Sequence, residues 1–179
     1  MGMAIGMVEL TSIARGIETS DAMLKAAKVS LIRSCTVCPG KYMVIVSGDT
    51  GDVRAAMMEG KKVSGEYLVD TLFIPNVHPQ LIPALTAVTL DVKLGAVGVI
   101  EFYSVAAAIH AADIAVKAAQ VTLIEVRIGY AIGGKGFVSL TGDVGAVRAA
   151  VEAAQASSEL YLQSTVIPRP SEQLFDALL

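Results

Sequence analysis

The hydrophobic and polar positions of the chain follow the same order of patterns twice. Residues 4–11 and 96–103 are rich in β-forming residues around one glycine, which predicts a strand at the start of each half. Apolar residues then recur at helical spacing, first at Ile13, Ile17, Leu24 and Ala27, and later at Val105, Ile109, Ala112, Val116 and Ala119. Each predicted helix leads into two strands joined by a glycine-containing turn, over residues 29–37 and 41–47 and again over 121–131 and 136–141.

A second helix and a last strand complete each half. Asp49 and Asp143 follow a strand-ending glycine at a position that favours an N-cap, and they predict short helices that run through Arg54 and Arg148. A final strand then leads into an Ile-Pro pair in each half. The order strand, helix, strand, strand, helix, strand is the split βαβ of a ferredoxin-like sandwich, in which two helices cover one face of the sheet.

The two halves are copies of one unit, because their residues match at a nearly constant offset. At an offset of 92 residues, Gly6, Glu9, Asp21, Lys25, Val29 and Leu31 meet Gly98, Glu101, Asp113, Lys117, Val121 and Leu123. Beyond the turn the offset becomes 94, so that Gly40-Lys41 and Gly48-Asp49 meet Gly134-Lys135 and Gly142-Asp143. The sequence therefore predicts an α/β fold of the α+β type, with two tandem ferredoxin-like domains at residues 1–91 and 92–179.

The composition is unusually poor in charge for a chain without a membrane span. Only 17% of the residues are charged, 54% are hydrophobic, and the mean hydropathy is +0.61. Soluble domains carry about a quarter charged residues. The chain is therefore expected to bury much of its outer surface against copies of itself.

Charge, composition and sequence patterns argue against several classes of protein. A net charge of −3 with 5% aromatic residues and no tryptophan argues against a nucleic-acid surface, which needs basic stripes or stacking platforms. The longest apolar stretch, residues 105–116, is interrupted by His110 and Asp113, so no membrane span is expected. The N-terminus lacks the pattern of a secretory signal, and two cysteines are no disulfide framework, which favours a reducing, cytoplasmic location.

Several blocks in each half resemble the bacterial microcompartment shell domain. They are Ile5-Gly6-Met7-Val8-Glu9, Asp21 to Ala27 and Gly48-Asp49 with Val53, and then Val97 to Glu101, Asp113 to Ala119, Gly142-Asp143-Val144 with Val147, and Val166-Ile167-Pro168-Arg169-Pro170. The resemblance covers nearly the whole chain twice, as in the tandem-domain shell proteins. It implies a homotrimer that forms a pseudo-hexameric tile, meets other shell proteins at its edges, lies in a microcompartment shell of the cytoplasm and is not an enzyme.

Within this family, two loops are similar to the propanediol-utilisation type, namely Cys38-Pro39-Gly40-Lys41 and Ile132-Gly133-Gly134-Lys135. That resemblance implies that Cys38 is a metal ligand and that three chains share one [4Fe–4S] cluster per trimer at the central pore. Pro39, Gly40, Gly133 and Gly134 would then form the pore loops. The implied function is electron transfer across the shell. The implied partner is an encapsulated redox enzyme that would use these electrons. Three equivalent cysteines leave one iron to another ligand.

The resemblance also implies three tile-edge residues. Lys25 and Lys117 match the edge lysines of the family, and Arg169 matches the edge arginine that follows Ile-Pro. Asn76 stands at the corresponding place in the first half, so edge pairing there is expected to differ. A solvated helix surface is the alternative role for both lysines.

Two other functions stay open at the level of sequence. One is the same tile with a central metabolite pore and no working cluster. The other is a ferredoxin-like trimeric ligand sensor or a small thiol oxidoreductase. Cys35-x-x-Cys38 suggests the oxidoreductase, although these cysteines lie at the end of a strand and in its turn and not at a helix N-terminus. Gly129 to Lys135 matches the start of a phosphate-binding loop, but Gly136 stands where Ser or Thr is needed. Glu9 and Glu101 are expected to fix each sheet to a neighbour, and no catalytic constellation is predicted.

Overall fold

The computed structural model describes residues 3–86 and 95–174, which form two compact units divided between Val77 and His78. The first unit contains β1 (Ala4–Leu10), α1 (Ile13–Ala26), β2 (Val29–Val37), β3 (Lys41–Gly48), α2 (Thr50–Ser64), a 3-10 turn (Gly65–Tyr67) and β4 (Leu68–Ile74). The second contains α3 (Leu81–Leu85), β5 (Ala96–Phe102), α4 (Val105–Ala118), β6 (Val121–Ile128), β7 (Gly136–Gly142), α5 (Val144–Gln155) and β8 (Tyr161–Ile167). The predicted boundary between residues 91 and 92 lies outside the described residues.

Each unit has one four-stranded sheet, with the order β2-β3-β1-β4 in the first and β6-β7-β5-β8 in the second. All neighbouring strands are antiparallel. The first and third strands occupy the centre, so β1 is buried at all seven positions and β3 at six of its eight. The predicted ferredoxin-like topology and the α+β class are confirmed for both halves.

The registers explain the change of offset that the sequence shows. Both β2 and β6 slip against their partners at the same place, between Leu31 and Arg33 and between Leu123 and Glu125. The offset of 92 residues is therefore unchanged across these register shifts. The two extra residues of the second half lie in the turn that follows. Strand β6 ends at Ile128, earlier than predicted, because Gly129 turns the chain with a φ of +66°.

The second helix of each unit is longer than the short helix predicted from Asp49 and Asp143. Both aspartates stand at the N-cap with an extended backbone, but the helices continue to Ser64 and Gln155. In α2 the buried residues Val53, Ala56 and Gly60 recur at helical spacing and pack over β1, which is why the helix runs on.

The apolar spacing of α1 correctly predicts a helix, but its large apolar side chains do not face the core. Ile17 is 57% exposed, whereas the equivalent Ile109 of α4 is completely buried. The residues of α1 that are buried are small or polar, with the exception of one methionine: Gly16, Thr19, Ser20 and Met23. Ile13 and Leu24 are exposed together with Ile17. We refer to Ile13, Ile17 and Leu24 as the α1 stripe.

The two units solve the packing between helix and sheet in opposite ways. In the first unit Gly16 of α1 lies over Tyr42 of β3, so closely that a Cβ atom on Gly16 would be 2.4 Å from Cδ1 of Tyr42. In the second unit the glycine is on the strand and the larger residue is on the helix. A Cβ atom on Gly136 of β7 would be 2.5 Å from the Cβ of Ala108 in α4. Each glycine therefore makes room for its partner.

Within residues 3–86 and 95–174, no helix combines the length and hydropathy that crossing a membrane requires.

Candidate functional site

Cys38 lies in the tight turn that joins β2 to β3. Val37 pairs with Lys41 across the hairpin, so Cys38, Pro39 and Gly40 alone make the connection. Pro39 and Gly40 are exposed and Cys38 is half-buried. Gly40 has a φ of +80°, which favours glycine, and a Cβ atom added there would meet nothing within 4 Å. The turn thus presents a thiol at a narrow tip that another chain can approach closely.

A buried ion pair fixes the base of this turn. The carboxylate of Glu9 in the central strand β1 pairs with the ammonium group of Lys41, the first residue after the turn. Their side chains are only 3% and 22% exposed. The pair ties the hairpin to the middle of the sheet, so the position of Cys38 is set by the most buried part of the unit.

The second unit repeats this arrangement around the loop that contains Gly133 and Gly134. Glu101 of β5 binds Lys135 at 2.9 Å, although these side chains are more exposed, at 37% and 40%. The two glycines have φ values of +67° and +80°, Gly133 is exposed and Gly134 is buried. The segment that follows is the strand β7, so this loop does not begin a phosphate-binding helix.

The sequence predicts that the two glutamates fix each sheet to a neighbour, but in the structure they pair with Lys41 and Lys135 of their own chain. The sequence did hold a signal for the pairs, because Glu9 and Lys41 are both repeated as Glu101 and Lys135. The pairing could not be read from the sequence alone, since it depends on β1 and β3 lying side by side.

Cys35 has a different environment from that of Cys38. It lies within β2 opposite Met43, and burial raises the pKa of its thiol, while the positive charge of Arg33 acts in the opposite direction. Cys35 therefore lies within the strand, whereas Cys38 lies in the turn at the end of the hairpin, so Cys38 is the better placed of the two to meet its copies in other chains.

The chemistry of the donor fits an iron–sulfur cluster only if several chains contribute. Such clusters are usually held by four cysteine thiolates, and each chain offers one suitable cysteine at an exposed turn. In the described part of the chain, no group of three or more His, Cys, Asp and Glu side chains could hold a metal ion.

The three predicted tile-edge residues are all at the surface. Lys25, near the end of α1, binds Asp21 at 2.5 Å, and Lys117 forms the equivalent pair with Asp113 in α4. Arg169 is exposed just beyond β8. The structure leaves their ammonium and guanidinium groups on the outside of the chain, and their contact with other tiles stays a prediction.

Comparison with known proteins places these repeated units in a class of fused two-domain shell proteins. The model of the BMC domain matches residues 4–77 and again 96–170. The chain is 46% identical over 178 residues to the bacterial microcompartment shell protein PduT of Citrobacter freundii, covering 98% of this chain and 97% of that protein. It is also 41% identical over 88 residues to the carboxysome shell protein CsoS1 of Prochlorococcus marinus, which corresponds to 48% of this chain and 85% of that protein.

Solved structures agree with this class. The crystal structure of a microcompartment protein from Desulfitobacterium hafniense is similar with a TM-score of 0.94 and 45% identity, covering 98% of this chain and 99% of that one. A fused, permuted hexameric shell protein of the RMM microcompartment is similar with a TM-score of 0.63 and 26% identity, over 87% and 83% of the two chains. The chain therefore belongs to the BMC domain family, as a tandem-domain microcompartment shell protein.

Proposed function

We propose that three copies of this chain form one pseudo-hexameric tile of a microcompartment shell, in which the three Cys38 thiols meet at the central pore and hold a [4Fe–4S] cluster. The observation that carries the proposal is the position of Cys38, at the exposed tip of a turn whose base is fixed by the buried pair of Glu9 and Lys41. Cyclic symmetry brings equivalent loops of three chains around one axis.

The exposed α1 stripe supports the association of several chains. Ile13, Ile17 and Leu24 are exposed, but their equivalents Val105, Ile109 and Val116 are buried in α4. The same fold therefore covers this helix face in one unit and leaves it uncovered in the other. In a ring in which each first unit meets another chain, the α1 stripe would be buried like its equivalents in α4. Such burial would also account for the low content of charged residues.

In this tile, each residue of the turn has a separate role. Cys38 would supply one thiolate per chain, and the small, exposed Gly40 would allow the three turns to approach one another without crowding. Glu9 and Lys41 would hold the turn in place. A bound cluster would supply reversible one-electron transfer across the shell. Pro39 and Gly133 would line the remainder of the pore, and Gly134, which was predicted to line it too, is buried behind them.

The test is the iron and sulfide content of protein purified without oxygen. We expect wild type to contain four iron atoms per three chains and to give the spin-resonance signal of a [4Fe–4S] cluster after reduction. Cys38→Ala should lose at least about nine-tenths of the iron, because a cluster shared by three cysteines loses all three protein ligands at once. Cys35→Ala is the matched control, and it should retain its iron.

Two outcomes contradict the cluster. Iron that persists in Cys38→Ala would show that this thiol is not the ligand. A wild-type trimer that contains neither iron nor sulfide would favour a plain tile whose pore passes small metabolites.

A further inference from the structure

The chain carries an arm that leaves one sheet and docks beside another. After β4 and the Ile74-Pro75 pair, residues 78–85 form this first arm, and its helix α3 packs on the edge strand β6 and on α4. Leu81, Ala84 and Leu85 are buried by this contact.

Three hydrogen bonds fix the first arm to its receptor. The backbone N–H of His78 donates to Oδ1 of Asp113 at 2.8 Å. The side chain of Gln80 then binds the edge of β6 twice, since its Oε1 accepts from the N–H of Leu123 at 2.8 Å and its Nε2 donates to the carbonyl of Val121 at 3.2 Å. The glutamine thus satisfies backbone groups that an edge strand otherwise exposes.

The sequence of this arm occurs a second time near the end of the chain. Five residues after Pro75 stands Gln80-Leu81-x-x-Ala84-Leu85, and five residues after Pro168 stands Gln173-Leu174-x-x-Ala177-Leu178. Residues 171–178 therefore repeat the sequence of the first arm, with the same glutamine and the same apolar positions, and we refer to them as the second arm; the structure describes residues 171–174 of it.

The receptor also occurs twice, but only one copy is covered. Asp113, Val121 and Leu123 correspond to Asp21, Val29 and Leu31 of the first unit. Leu123 is 6% exposed, whereas Leu31 is 44% exposed. The side chain of Asp113 is 5% exposed, whereas that of Asp21 is 62% exposed.

The described part of the second arm is uncovered as well, because Ser171, Glu172 and Gln173 are all exposed in the single chain. One chain therefore holds a docked pair of arm and receptor and also an undocked pair. The undocked receptor faces solvent on the same chain whose residues 171–173 face solvent, so the occupant that fits is the second arm of another copy.

We infer that the second arm of one chain docks on the first unit of the next, with Gln173 bound to the backbone of Val29 and Leu31 as Gln80 is bound to Val121 and Leu123. Asp21 would accept from the N–H of Ser171, and Leu174 would cover Leu31. This inference rests on the proposed ring of chains, because a contact between the end of one chain and the start of the next must close into a ring or form a filament.

The test uses two changes in the full-length protein. Gln173→Ala removes both proposed hydrogen bonds to the edge of β2. We expect it to raise the dissociation constant for chain association by about tenfold or more, measured by sedimentation equilibrium. Glu172→Ala is the matched control, because its counterpart in the first arm is Pro79; it should change the constant by less than about twofold.

A photoreactive residue in place of Leu174 identifies the receptor directly. Illumination should give covalent dimers and trimers on a denaturing gel, with the cross-linked peptide within residues 21–34. Cross-links that stay within one chain or reach another region would overturn the inference, as would a trimer that Gln173→Ala leaves unchanged, and in these cases the tile itself would stand. A wild-type chain that remains monomeric would overturn both the arm exchange and the proposed tile.

Discussion

At the scale of single residues, the duplication provides an internal comparison for the ion pair that positions each loop. Glu9 and Lys41 are nearly enclosed by the first unit, whereas Glu101 and Lys135 are more than one-third exposed. Removing one partner of a buried pair leaves an uncompensated charge in a poorly solvated site. Exposed pairs contribute little, because water already screens them.

We therefore predict that the same substitution has different costs in the two units. Glu9→Gln should lower the free energy of unfolding by about 3 kcal/mol, since Lys41 keeps its charge in a buried site. Glu101→Gln should cost less than about 1 kcal/mol, because Lys135 can turn to solvent. Urea unfolding followed by circular dichroism measures both values. Equal costs would show that burial does not control these pairs.

How much of the site could be predicted differs from residue to residue. The position of Cys38 in a turn was predictable, because a Pro-Gly pair between two β-rich segments is a local signal. The pair of Glu9 and Lys41 was not, since it joins residues of separate strands. The raised pKa of Cys35 also depends on burial in the folded sheet.

At the scale of elements, the exchanged glycines show how two copies of one fold diverge in their packing. Gly16 leaves space for Tyr42 in the first unit, and Gly136 leaves space for Ala108 in the second. The first unit also contains a chain of hydroxyl groups, in which Ser34 of β2 bonds Ser20 of α1 and Tyr42 of β3 at 2.8 Å each. The same backbone contact between helix and sheet is thus filled by different side chains.

We predict that Gly16→Ala destabilises the chain by about 1–3 kcal/mol, because the added methyl group overlaps the ring of Tyr42. Gly51→Ala is the control: Gly51 lies in α2, a Cβ atom there meets nothing within 4 Å, and the change should stabilise by about 0.5–1 kcal/mol. Thermal and urea unfolding would measure both changes.

A double substitution tests the same contact in the second unit. Gly136→Ala alone should also be destabilising, and adding Ala108→Gly should recover much of the loss. Two residues in contact are not expected to give additive effects. Strict additivity, or a neutral Gly16→Ala, would contradict the packing described for these glycines.

The secondary-structure elements were largely predictable from the sequence, but the direction in which the apolar face of α1 points was not. Among the described residues, β-rich and helical patterns indicated each of the strands and the four longer helices, because each pattern is set by local burial, although β6 ends earlier and α2 and α5 end later than predicted. The outward orientation of the α1 stripe was not foreseen, since an apolar face on a helix normally marks the core. Here the core side of α1 contains Gly16, Thr19, Ser20 and Met23, and the larger apolar residues are left for another surface.

At the scale of the whole molecule, several exposed surfaces of the first unit support the proposed association of chains. The α1 stripe, Leu31 and Asp21 are exposed, and their equivalents in the second unit are buried. An apolar chain with 17% charged residues has little polar surface with which to replace such contacts. The composition predicts an association between chains, but it does not predict which faces would take part, because that depends on the difference between the two units.

The proposed tile makes a joint prediction about stoichiometry and cofactor. Each chain offers one Cys38 turn, so a cluster at the pore needs three chains. A trimer can therefore hold at most one such cluster. Native mass spectrometry of protein purified without oxygen measures both quantities on the same particle. We predict a single main species with the mass of three chains and one [4Fe–4S] cluster. A monomer, or a trimer whose mass is that of the three chains alone, would contradict the account.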